Sequence, residues 1–302
     1  MGSTDFGNFN VRKQTALSKP RYPSCLLTPQ QKFCRDSTLP VCNLLTDNHN
    51  QTGPWDGCQL TGIPLSGGRH LGNLGSIILA AIAILTCIFL VLKSDRKKAA
   101  VGRSICEIFS VGEFPLSGKV RVAFSAIHIG MIIATTWILM LNAVIGYQLI
   151  DDGTALSMGL VVASAAAFFI GTGYIALDTG LSFTGFWDSS YALPNRNLAL
   201  YVLYQLVPLI FLVAFYVLEA ILVLRILGEF RPMIYLTGAA VLFAIGQVFN
   251  YTVSPHICSG TDGKIDGALF QTLFTLLSVV GVWAFWSSIT EDDWSTQEGT
   301  YP

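Results

Sequence analysis

Long stretches of this chain carry almost no charge, and no other feature of the sequence limits its fold so strongly. Six such stretches fall at 74–92, 122–150, 155–177, 198–224, 234–254 and 267–287. A helix crossing a hydrocarbon core of about 30 Å takes ~20 predominantly apolar residues. Five of the six contain no Asp, Glu, Lys or Arg, and the fourth in order holds only Glu219. A buried helix of a water-soluble domain rarely stays uncharged for so long, and six together exclude that class. The reading is an all-α polytopic membrane protein with six clear transmembrane helices.

Composition agrees. Charged residues make up 12% of the chain, against roughly 25% in soluble globular domains, and the mean hydropathy is +0.55. The formal net charge of −1 leaves no excess with which to seek a polyanion, so nucleic-acid binding is excluded. Residues 1–70 differ from the rest: they are rich in Ser, Thr, Asn, Gln and Pro and hold four of the seven cysteines. No basic segment followed by an apolar one marks a cleavable signal peptide there. The organisation expected is a polar, lumenal segment at 1–70, a helical membrane domain at 71–290 and a short acidic tail at 291–302.

Orientation follows the Lys and Arg nearest the helix ends. Lys93, Arg96, Lys97, Lys98 and Arg103 follow the first apolar run, while only Arg69 closely precedes it. The first helix therefore enters from the lumen and leaves into the cytosol. Arg225 and Arg231 mark a second cytosolic loop. Three clear runs lie between these two loops, yet an even number of crossings is required. Between them, 104–121 contains Glu107, Glu113, Pro115 and Lys119, and each central charge costs roughly 2.5–3.5 kcal/mol on insertion scales. The expectation is six spans, with the N-terminus lumenal and the tail from Glu291 displaced to the unexpected side.

A lumenal N-terminus and a lumenal 255–266 loop would place Cys25, Cys34, Cys42, Cys58 and Cys258 in an oxidising compartment, where a disulfide among them is expected. Asn50-Gln51-Thr52 is a glycosylation sequon clear of the membrane, whereas Asn250-Tyr251-Thr252 lies at a helix end and is expected to stay unmodified. The four histidines show no metal-ligand spacing, and neither Gly171-Thr172-Gly173 nor Gly67-Gly68 sits in a phosphate-loop context. No catalytic, metal or cofactor site is expected. Polar groups inside the runs (Asn142, Gln148, Gln205, Glu219, Gln247, Asn250 and Gln271) read best as interhelical hydrogen bonds worth about 1 kcal/mol each. Glu219 lies near a helix end, with Arg225 six residues on, so its side chain either reaches the headgroups or stays protonated. Small residues at Ala163–Ala167, Gly171 and Gly173 would let helices approach closely.

Several strings together resemble the fungal chitin synthase export chaperone family. They are Phe33-Cys34 with Leu39-Pro40-Val41-Cys42, then Ala100-Val101-Gly102-Arg103, then Gly146-Tyr147-Gln148-Leu149 running into Asp151-Asp152-Gly153-Thr154-Ala155-Leu156-Ser157. Further on come Ala244-Ile245-Gly246-Gln247-Val248, His256-Ile257-Cys258, Ile265-Asp266-Gly267 and Trp286-Ser287-Ser288-Ile289-Thr290-Glu291-Asp292. The resemblance covers roughly residues 33–294 and implies seven helices with a lumenal N-terminus and a cytosolic C-terminus. This sequence departs from that pattern, either as a diverged member or because an exon is missing from the sequence. The helix expected after Ala100–Arg103 is absent or reduced to about 104–112, and a third N-terminal cysteine expected near Arg69 is missing.

The resemblance implies an endoplasmic-reticulum membrane protein, not an enzyme, with a chitin synthase as its client and the bilayer as its surroundings. It carries over the family positions Cys34, Cys42, Gly102, Arg103, Asp152, Gly153, Thr154, Gln247, Cys258, Asp266, Gly267 and Trp286. Asp or Thr oxygens in the Asp151–Thr154 stretch would cap the helix beginning near Ala155. A heptahelical receptor or sensor is the alternative from another class, and a transporter comes third.

Overall fold

All six apolar runs are helices. The structure, a computed structural model, describes residues 41, 44, 63–65, 69–71, 74–93, 118–147, 154–187, 198–261 and 264–290. Along the chain these are α1 (Leu74–Lys93), α2 (Gly118–Gly146), α3 (Ala155–Leu181), α4 (Leu198–Tyr201), α5 (Val207–Ile221), α6 (Arg231–Val248), α7 (Ser254–Gly260) and α8 (Gly267–Thr290). A π-helical turn at Val202–Leu206 joins α4 to α5, another at Leu222–Leu227 ends α5, and a third at Phe249–Val253 joins α6 to α7. Five of the resulting helical rods are long and apolar enough to cross a membrane, and α1 is a shorter apolar sixth. One small element was not foreseen: an antiparallel hairpin of β1 (Ile63–Leu65) and β2 (Arg69–Leu71), with Ile63 opposite Leu71.

Two of the π-turns stand where proline forces them. Proline inside an α-helix lacks a donor, and its ring meets the carbonyl four residues back. Pro208 and Pro255 each follow a π-turn that contains that residue, Tyr204 and Tyr251. The extra residue in the wide turn relieves the clash, so the rod continues across the proline. The π-turn at Leu222–Leu227 closes on Gly228, whose φ of 69° is the left-handed cap that glycine adopts readily.

Helix ends moved in two places. The run read as 122–150 stops being helical at Gly146, and Tyr147 forms a turn. The run read as 155–177 continues to Leu181 and takes Asp178 into the helix. Inside the bundle, Trp137 of α2, Phe168 of α3 and Phe211 of α5 pack as an aromatic triad with centroids 4.8–5.7 Å apart. The Trp137 indole N–H donates to Ser164 Oγ at 2.9 Å. Between α6 and α8, a Cβ on Gly281 would lie 3.0 Å from that of Ala239.

Of the small residues of α3, only some serve packing within the chain as expected. Ala165 is buried, but Ala163, Ala166, Ala167 and Gly171 face outward, beside Leu160, Val162 and Ile170. An outward apolar surface of this kind suits lipid contact, since a spanning helix is solvated by hydrocarbon.

Contacts sort the helix ends onto two faces. On one, Gly146 at the end of α2 approaches Leu222, and a buried cluster joins Ala143, Phe215, Val223, Leu236 and Phe285. This face carries Arg225 and Arg231. On the other, Val41 and Leu44 of the N-terminal segment pack with Val122, Ala126 and Ile129 of α2, Ala176 of α3, and Leu200 and Tyr204. A Cβ on Gly180 would collide with Val122 and lie 3.2 Å from Leu44 Cδ2.

Candidate functional site

The positions singled out in the sequence do not form one site. Cys34, Cys42, Asn50, Gly102, Arg103, Asp152 and Gly153 lie outside the described residues. The remaining six, Thr154, Gln247, Cys258, Asp266, Gly267 and Trp286, separate into two groups. From Gly267 to Trp286 along α8 is about 29 Å at 1.5 Å per residue, so the groups stand at opposite ends of the bundle.

The first group is a close crossing where α6, its π-turn, α7 and α8 meet. Gly246 sits where a Cβ would be 3.1 Å from Phe274 Cβ and 3.4 Å from the Gln271 carbonyl oxygen. One π-turn further, Gly267 begins α8 directly against Phe249 and Ser254. Its N–H donates to Ser254 Oγ at 3.0 Å. A Cβ there would collide with the Phe249 carbonyl oxygen and lie 2.6 Å from Ser254 Cβ. Backbone meets backbone at this point, and only hydrogen fits.

Around this crossing the groups are polar and fully enclosed. Asn250 is 1% exposed, Ser254 0%, Asp266 2% and Cys258 1%. The Thr261 hydroxyl holds the connecting loop: its Oγ1 donates to the Ile257 carbonyl at 2.8 Å and accepts from the Ile265 N–H at 3.2 Å. Cys258 is disulfide-bonded, and the cysteine it joins lies outside the described residues. Gln247, half-buried, precedes the π-turn. Tyr251, on the same turn, donates to Gln205 Oε1 at 2.8 Å and ties the crossing to the start of the α4–α5 rod. Burial of Asn250 leaves its sequon no accessible amide for a glycan.

The second group lies at the Arg225–Arg231 face. Thr154 is the N-cap of α3: with φ −73° and ψ 149°, its Oγ1 accepts from the Ser157 N–H at 3.2 Å. The cap expected from the Asp151–Thr154 stretch is thus supplied by the threonine. Trp286 packs against Phe285, with centroids 5.7 Å apart, beside the cluster around Phe215 and Leu236. Tyr147 donates to the Leu218 carbonyl at 2.6 Å. Burial, and the Glu219 carboxylate nearby, push the Tyr147 phenol above its usual range, so it stays a donor.

Of the two expectations for Glu219, burial removes the one that it reaches the headgroups. It is 0% exposed and shares a helix face with Phe215 and Val223, so it points into the bundle and not toward the headgroups. Neither carboxylate oxygen has a hydrogen-bond partner among the described residues. The sequence reading passed over Asp178 altogether, because the apolar run was ended one residue before it. Its signal was a carboxylate a few residues ahead of Thr184 and Gly185, the composition of a helix-ending turn.

Comparison with known proteins places these features. The family model for the chitin synthase export chaperone matches residues 28–300. The chitin synthase export chaperone of Coccidioides immitis is 28% identical over 277 residues, covering 86% of this chain and 82% of the relative. That of Chaetomium globosum is 28% identical over 285 residues, covering 89% and 84%. That of Cryptococcus neoformans is 27% identical over 276 residues, covering 86% and 74%. No solved structure matches. Since the match takes in the close crossing, the Thr154 cap and every described helix, the chain belongs to the chitin synthase export chaperone family.

Proposed function

We propose that this protein is a membrane chaperone of the endoplasmic reticulum that helps a chitin synthase fold and leave that compartment, and that it performs no chemistry of its own. The observation that carries the reading is the family match over residues 28–300, which spans the whole helical domain. The architecture supports action by binding. The helices present apolar side chains outward, such as Leu156, Met158, Leu160 and Ile170 on α3, while Glu219, Asn250 and Asp266 are buried. A surface of that kind covers membrane segments of a client that are not yet packed against their own neighbours. The client is released once its helices find one another, since its own packing then replaces the contacts with the chaperone.

Deletion of the gene, followed by locating every chitin synthase of the cell, tests the proposal. At least one synthase is expected to remain in the endoplasmic reticulum, with less chitin in the wall. Normal delivery of all of them to the cell surface would overturn it.

A further inference from the structure

The loop that leaves α3 is held in an unusual way. Asp178, three residues before the helix ends, is 0% exposed. Its Oδ1 accepts from the Thr184 N–H at 2.7 Å, and its Oδ2 accepts from the Thr184 hydroxyl at 2.5 Å and the Trp187 N–H at 3.1 Å. The carbonyl of Asp178 accepts from the Ser182 N–H at 2.8 Å. Ser182 and Gly185 take φ of 52° and 72° to let the chain turn back. One buried carboxylate thus fixes the whole of 182–187.

What the carboxylate holds in place is aromatic and uncovered. Phe183 is 56% exposed and Phe186 79%, with the Phe186 ring against Trp187 at 5.1 Å. Ordering such a loop with the charge inside and the rings outside is unfavourable in water. The rings also have a direction. Phe183 packs edge-on to Tyr174 at 5.8 Å. Tyr174 lies about 10 Å back along the helix from Leu181, and it is 44% exposed. The loop therefore folds back beside the bilayer-facing side of α3.

Depth follows from length. The 27 residues of α3 make a rod of about 40 Å, against a hydrocarbon core of about 30 Å. Its last turn therefore stands in the headgroup layer, and a loop folded back from there brings its rings to the acyl–headgroup boundary. Aromatic rings concentrate at that boundary in membrane proteins. We propose that the Ser182–Trp187 loop is a lipid anchor, inserting Phe183 and Phe186 into the leaflet opposite the Arg225–Arg231 loop. The lipid-facing surface of α3 continues directly into it.

The test places the photoreactive p-benzoylphenylalanine at Phe186 of the full-length protein in its own microsomal membranes. Position 186 is exposed enough to accept the substitution without disturbing the fold. Irradiation is expected to give adducts of phospholipid mass in excess of protein adducts. Crosslinking chiefly to protein, whether client or second copy, or to neither, overturns the assignment. In the same background Thr184→Val removes the hydroxyl that Asp178 holds. A several-fold drop in lipid adducts is expected, and an unchanged yield would overturn the role given to Asp178.

Discussion

Single atoms decide the two most constrained residues of the family pattern. At Gly267 the space for a methyl group is already filled by the Phe249 carbonyl oxygen and Ser254, and both belong to backbone that cannot swing aside. Gly267→Ala is expected to lower stability by about 1–3 kcal/mol, the usual cost of overpacking, read as a lower unfolding temperature of the purified protein. Thr154 acts through one oxygen. Thr154→Ala is expected to remove about 0.5–2 kcal/mol by freeing the Ser157 N–H. That loss should appear as lower abundance in the cell, with the variant that remains still binding its client. Wild-type abundance with binding lost would instead make Thr154 part of the client surface. Gly267 and Thr154 were both named from the sequence, but the reason for the glycine was not legible there. A close crossing depends on two helices far apart in the chain, and no local pattern announces it.

At the scale of elements, the helices were legible because membrane solvation writes one requirement into every turn of a span. Their ends were less so. Hydropathy treats Asp178 as a stop, yet the helix carries it inward because the following loop satisfies the carboxylate completely. The π-turns were not read at all, although Pro208 and Pro255 gave the cue. Glu219 shows the opposite case, a group that the sequence flagged and that burial turns into a problem of energetics. A buried carboxylate with no partner is costly, and replacing it with an apolar residue of similar volume is commonly neutral or stabilising. If Glu219 has no task beyond filling its place between Phe215 and Val223, Glu219→Leu is expected to unfold at the same or a higher temperature and to export the client normally. A folded, more stable variant that no longer exports a synthase would assign the carboxylate to function.

For the whole molecule, the two faces speak to the parity problem that the charges posed. Residues 41 and 44 share a face with the start of α2, the end of α3 and the start of α8, while the end of α8 lies with Leu236 and Val223 on the Arg225–Arg231 face. Between residue 44 and α1 the sequence has no apolar run that could cross a membrane. We propose on that ground that α1 begins on the face where α2 also begins and ends on the other. We propose that the chain returns between α1 and α2, since α2 starts again on the first face. Lys119 no longer counts against this passage, because it lies in the first turn of α2. Burial of the disulfide-bonded Cys258 on the face of residues 41 and 44 agrees with an oxidising, lumenal side there. On this proposal the tail from Glu291 is expected in the cytosol with Arg225 and Arg231, where the positive-inside rule puts them, whereas the charge arithmetic alone expects it on the displaced side. Glycosylation reporters inserted at Asp56 and fused after Pro302 check this: the first is expected to be modified and the second not. Modification of both would restore six crossings and require the Arg225–Arg231 loop to face the lumen.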